Sequence, residues 1–154
     1  MTSTSTRISR HVNAPRAPVY RALLDPLAIA KWRVPRGMTS QVHEFEARLG
    51  GSFRISLTYD APTGTGKTTA HTDTYHGHFV KLVPNEQVVE VIEFETDDPA
   101  LRGEMQITFT LTDAGGGTDV LGVHDNLPPG VSSADNEIGR RMALDKLAAL
   151  VESP

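Results

Sequence analysis

Two hydrophobic periods divide the chain. Between residues 41 and 125 apolar and polar side chains alternate, the period of a half-buried strand. Phe53, Ile55, Leu57 and Tyr59 are interleaved with Arg54, Ser56 and Thr58, and Met105, Ile107, Phe109 and Leu111 alternate without interruption. Strands are predicted over 7–12, 42–47, 53–59, 69–83, 88–95, 104–112 and 118–125. Turn chemistry punctuates them at Gly50-Gly51, Pro84-Asn85 and the glycine run 115–117. Links this short make the strands after residue 41 antiparallel.

Outside that region the spacing is helical. Asn13 or Ala14 is placed to cap a helix with Pro15 at its first position, where the missing N–H costs nothing. Val19, Tyr20, Leu23 and Leu24 follow at helical intervals, and Asp25-Pro26 breaks the run and opens a second short helix over 27–32. Residues 33–39, with Pro35 and Gly37, read as loop. After Pro128-Pro129-Gly130, Ser132 and Asp135 form a partial capping box for a helix over 133–151. Its predicted apolar stripe is Ile138, Met142, Leu144, Leu147, Ala148 and Val151. Such a helix spans ~30 Å, enough to cross a small sheet. The predicted fold class is therefore α+β. A curved antiparallel sheet wraps around a long C-terminal helix, with two short helices after the first strand. One domain is expected over 7–152, with a frayed tail over 1–6.

Composition narrows the function classes. The 154 residues carry 15 Lys and Arg against 19 Asp and Glu, a net charge of −4. No basic block offers the footprint that nucleic-acid binding needs. No apolar run is long enough for a membrane span, and the opening residues lack a signal-peptide core. The absence of cysteine excludes disulfides, thiol catalysis and thiolate metal sites, and accords with a cytoplasmic setting.

Several segments together resemble a known family. Ala14-Pro15, Val19-Tyr20, Ala22-Leu23, Asp25-Pro26 and Trp32 are similar to its opening. Glu46, Arg48, Gly50-Gly51 and Phe53 resemble its glycine turn. Gly77, Val83-Pro84 and Val88, then Gly117-Thr118, His124, Asn136-Glu137, Gly139 and residues 144–150, resemble its later strands and closing helix. The family is the AHSA group (homologues of the activator of heat-shock protein 90 ATPase) within the SRPBCC or START-like superfamily. The resemblance implies the helix-grip fold of pollen allergens and polyketide cyclases, with an apolar cavity between sheet and helix, and no single activity. Many members carry an aromatic after the helix glycine; Arg140 stands here, which removes an apolar lid from the implied cavity mouth.

Candidate chemistry is sparse. Ala61-Pro62-Thr63-Gly64-Thr65-Gly66-Lys67-Thr68 satisfies a permissive phosphate-loop pattern, but a strand rather than a helix is predicted to follow, so the segment reads as a glycine-rich hairpin loop. His76 and His78 share a strand face, with His71, Asp73 and Tyr75 on the other; too few further donors are in register to predict a metal site. Glu44 and Glu46 are expected in solvent. Glu93 and Glu104 are the acids considered for the interior, though the 88–95 strand is apolar on both faces and its parity is open. Trp32 is either a core plug or a cavity wall. Gly139 marks either a tolerated bend or a close approach to the helix backbone.

These observations predict a binding protein for a small apolar or aromatic ligand, held between sheet and helix. Its expected lining is Trp32, Phe53, Ile55, Leu57, Tyr59, Met105, Ile107, Phe109, Gly139 and Met142, with His71 and Tyr75 orienting a polar end. No cofactor, nucleic acid or membrane is expected, and the chain is a monomer or homodimer. A co-chaperone-like interaction module is the second reading, although that architecture carries a further N-terminal domain. A polyketide cyclase or dehydratase-like enzyme, with no catalytic residue identified, is the third.

Overall fold

The structure is a computed structural model describing residues 4–60 and 71–152. Its elements run β1 (Thr4–Val12), α1 (Arg16–Leu24), α2 (Pro26–Trp32), β2 (Met38–Phe45), β3 (Ser52–Tyr59), β4 (Thr72–Val83), β5 (Gln87–Phe94), β6 (Met105–Ala114), β7 (Gly117–Leu127) and α3 (Ser133–Glu152). All seven strands form one antiparallel sheet in the order β1-β7-β6-β5-β4-β3-β2. The first strand thus closes against the last, and α3 packs along β1 and against α2. The α+β helix-grip reading holds. The phosphate-loop-like segment at 61–68 lies outside the described residues.

Boundaries differ from expectation where tertiary partners decide them. β1 begins at Thr4, not at Arg7, because Thr4 and Thr6 pair with Leu127 and His124 of β7. Thr6 is buried, so residues 4–6 are part of the domain and not tail. β2 begins at Met38, inside the expected loop, by pairing with Tyr59. α1 starts after Pro15, which serves as its N-cap and supplies no side-chain bond, in place of Asn13 or Ala14. Asp25 does cap α2: its carboxylate accepts from the Leu27 N–H at 3.0 Å. At α3 the Ser132 hydroxyl accepts from the Asp135 N–H at 3.2 Å, the capping bond foreseen there.

The glycine pair before β3 has a clear cause. Gly50 has φ +78°, and a Cβ on Gly51 would sit 2.1 Å from the Glu46 carbonyl oxygen. The first needs left-handed backbone and the second needs room, so the tight turn closes only with glycine at both positions.

The inward rows of the sheet meet α1, α2 and α3 in one core. Ile8, Val12, Phe53, Ile55, Tyr75, Phe79, Val88, Ile92, Met105, Ile107, Phe109, Leu111 and Val120 come from the strands, and Leu144, Leu147 and Ala148 from α3. Trp32 is buried between α1 and β6. Its indole N–H donates to the Ala22 carbonyl at 2.8 Å, and its ring stands edge-on to Phe109 at 6.0 Å. It is a satisfied core residue.

Candidate functional site

The concave face is less apolar than the strand pattern suggests. Register settles the parity of β5: Glu90 lies opposite Phe79 on one side and Ile107 on the other, so it points inward, while Glu93 lies opposite His76. Glu90 is 1% exposed. Glu93 sits on the outer face within 3.2 Å of the His76 ring, and Glu104 is exposed. Glu90 is thus an interior acid that is neither of the two considered from sequence; Asp73 of β4, opposite Leu57, is buried as well.

The partner of Glu90 comes from the loop after α2. The Arg33 guanidinium donates to the Glu90 carboxylate as a buried ion pair. Around it stand three aromatic rings, with the guanidinium carbon 5.5 Å from the centre of Tyr75, 5.8 Å from Phe53 and 6.0 Å from Phe109. Glu90 and Tyr75 hold the Arg33 pKa above its usual range against the opposing effect of burial. Burial raises the Tyr75 phenol, so it stays a neutral O–H. Phe53, Tyr75 and Phe109, three of the expected lining residues, are therefore brought together around Arg33. The space they enclose, expected to be an apolar chamber, holds an arginine.

A second polar run crosses between the sheet and the first half of α3. Arg140 donates to the Thr6 hydroxyl at 3.1 Å, and that hydroxyl donates to Asn136 Oδ1 at 2.6 Å. Asn136 Nδ2 lies 3.3 Å from His124 Nδ1, and His124 Nε2 lies 3.2 Å from Met105 Sδ. The donors and acceptors are mutually consistent only if His124 is neutral with its proton on Nε2. Electrostatics agree: burial first, then the Arg140 and Arg33 charges, push the His124 pKa down to about 3. Burial and the Arg33 charge lower the Arg140 pKa to about 10, against the favourable fields of Glu90 and Glu137.

Space for the Arg140 guanidinium is made by Gly122 on β7. A Cβ there would fall 2.5 Å from Arg140 Nη2. Arg140 thus reaches inward between helix and sheet and does not merely leave a cavity mouth unlidded. The inward row of α3 is Asn136, Arg140, Leu144, Leu147 and Ala148, polar in its first half. Ile138, predicted within the apolar stripe, is 53% exposed, and Met142 is partly buried. At Gly139 neither φ nor crowding requires glycine: a Cβ would meet only Pro35 Cγ, at an ordinary 3.7 Å.

The other predicted lining residues divide in two. Ile55, Met105 and Ile107 are buried in the core, and Leu57 and Tyr59 are partly buried towards the end of β3. His71 lies just before β4 and is exposed, with its carbonyl accepting from the Tyr59 N–H at 2.9 Å. It stands outside the interior polar groups, whereas Tyr75 is among them. Arg33, Glu90, His124, Asn136 and Thr6 were not selected from sequence. His124 and Asn136 stood out only as part of the family resemblance, and the others were polar residues whose direction cannot be known until register and packing are. Two open concavities of about 560 and 540 Å³ lie on the outer side of the sheet, one lined by Lys81, Gln87 and Thr110, the other by Arg54, His76 and Glu95. Among the described residues no group of three or more His, Asp and Glu side chains is arranged to hold a metal ion. Nor is any helix there long and apolar enough to cross a membrane.

Comparison with known proteins matches this geometry to a family. No curated protein is a significant match. Protein CV1439 from Chromobacterium violaceum is 34% identical with a TM-score of 0.87, covering 97% of this chain and 98% of its own. Protein Ms6760 from Mycobacterium smegmatis shares the fold at 16% identity and TM-score 0.77, over 99% and 93% of the two chains. DynU16, a protein of the dynemicin biosynthetic locus, shares it at 22% identity and TM-score 0.67, over 97% of this chain and 47% of its own. The family model described as "Activator of Hsp90 ATPase homolog 1-like protein" matches residues 13–152, from the turn before α1 to the last residue of α3, and it is to this family that the chain belongs.

Proposed function

We propose that the protein is a cytoplasmic small-molecule-binding protein whose site lies between the sheet and α3. The observation that carries the reading is the polar furnishing of an otherwise apolar concave face. Arg33, Glu90, His124, Asn136, Thr6 and Arg140 are costly to bury and add little that a hydrophobic core would lack. A few fixed polar groups among aromatic walls are the usual composition of a ligand site. Ser40 adds to this: it lies opposite Leu57 on the same sheet, and its buried hydroxyl has no hydrogen-bond partner among the described residues. The ligand class is a small aromatic or apolar molecule with at least one polar end.

Native mass spectrometry of freshly purified protein tests this reading. A retained small molecule, or thermal stabilisation by naphthalene- or decane-sized probes, is the expected result. A bare chain that no such probe stabilises would overturn it. The same spectrum gives the subunit count, which the proposal sets at one or two.

A second reading, a protein-interaction module of co-chaperone type, is favoured by the family description and by Leu27 and Leu49, which are 75% and 64% exposed. A cyclase or dehydratase-like activity ranks third. The DynU16 locus speaks for it, but His124, held at about 3, is far from the range a general base uses at neutral pH.

A further inference from the structure

The two interior arginines are not equally satisfied. Arg33 has its counter-ion in Glu90 and three aromatic faces around it. Arg140 has no carboxylate within ion-pair distance among the described residues; its recorded acceptor is the Thr6 hydroxyl. That hydroxyl's own proton is committed to Asn136. A guanidinium carries five donors, in a fork that matches a carboxylate. Here one donor is used.

The surrounding field is also unbalanced. Arg140 feels Arg33 as a like charge, while Glu90, one of the two acids that act on it, is already engaged by Arg33. The neighbouring imidazole is no counter-charge in either form, since protonation would make it a further cation. Access is given by the chain on either side. Arg33 precedes Pro35 by two residues and Arg140 follows Gly139, and Pro35 lies against the bare Cα of Gly139. The seam between the loop after α2 and the start of α3 is thus flanked by both cations. Arg140 is only partly buried at this seam.

We propose that Arg140 is the anchor for an anionic ligand, a small carboxylic acid with an apolar or aromatic body. The carboxylate pairs with the Arg140 guanidinium, and the body lies among the apolar side chains between sheet and helix. The proposal rests on the binding function above and specifies its ligand. It also gives Gly122 a role, since only a residue without a side chain leaves the guanidinium its place against β7.

The test uses matched probes on the intact chain: 2-naphthoate against 2-naphthamide, and decanoate against decanol, by calorimetry at pH 7.5. The expected result is at least tenfold tighter binding of the acid in each pair. That preference should fall to less than threefold in Arg140→Gln, be partly kept in Arg140→Lys, and weaken as salt is raised. An unchanged far-ultraviolet circular dichroism spectrum and a cooperative urea transition should show that Arg140→Gln is folded. Equal binding of acid and neutral probes, or an acid preference that survives Arg140→Gln, would overturn this inference and leave the binding function standing. Binding of none of the four by the unaltered protein would overturn both.

Discussion

His124 shows how one buried side chain couples this fold to pH. Its pKa in the folded chain is about 3, against 6.5 when unfolded. Above pH 6.5 both states are neutral there, and the group contributes no pH dependence. As pH falls from 6.5 towards 3 the unfolded chain takes up a proton that the native chain refuses, so stability is lost on acidification. The slope is about 1.4 kcal/mol per pH unit. Glu46 and Glu95 have pKa values lowered by their arginine partners, so their contribution is lost only below about pH 4.5. Urea midpoints of the unaltered protein and of His124→Gln between pH 6.5 and 5 therefore give the contribution of His124 by difference, and in the variant that part of the profile should flatten. The Arg33–Glu90 pair gives a second expectation at this scale. Glu90→Gln leaves a guanidinium buried without its counter-charge and should cost about 3–5 kcal/mol, whereas replacing both partners by apolar residues should recover most of that loss. Denaturant titrations of the single and double variants provide the measurement.

Elements are held in register by glycines that serve different ends. A Cβ on Gly77 of β4 would lie 2.2 Å from the Val91 carbonyl oxygen, 2.8 Å from Ile92 Cγ2 and 2.9 Å from Phe53 Cζ. The nearest obstacle is backbone of the neighbouring strand, which cannot move without breaking the ladder. Gly77→Ala should therefore cost about 3 kcal/mol or more. At Gly122 of β7 the sole tight contact a Cβ would make is with the far end of Arg140, a flexible side chain, while Phe109 Cε1 stands at an ordinary 3.7 Å. Gly122→Ala should change stability by no more than about 1 kcal/mol while displacing the guanidinium. Thermal melts of the two variants side by side check the contrast. Strand identity was legible in the alternation of 53–59 and 105–111. Strand parity was not, wherever both faces are apolar or a bulge intervenes. β5 is the clearest case, with Val88 and Val89 both buried on opposite faces, so that the inward position of Glu90 followed only from its neighbours. The α3 stripe failed for a related reason. Choosing the apolar residues selected Ile138, whereas the inward row runs through Asn136 and Arg140.

For the molecule as a whole, one sheet and three helices share one core, and the chain should unfold as a unit. Trp32 is the only tryptophan and touches both α1, through Ala22, and β6, through Phe109. Its fluorescence and the far-ultraviolet circular dichroism should therefore follow one urea transition; separated midpoints would show that the short helices detach first. The ends of the chain are fastened by long-range pairs. Arg10 donates to Asp145 at 2.9 Å, and the Asn13 N–H to Glu152 at 2.7 Å, so β1 and α3 are tied together although they lie at opposite ends of the sequence.

By itself the sequence determined what depends on neighbours along the chain: which segments are strands or helices, where glycine and proline end them, and that the long terminal helix must cover the sheet. Hydrophobic period and turn stereochemistry are local, and they suffice for that. Tertiary structure alone decided the character of the interior. Arg33, Glu90, His124 and Arg140 come from one loop, two strands and a helix, and the charge of each is tolerated or refused according to what the others place beside it. A low-dielectric interior makes such interactions strong, and no spacing along the chain records them.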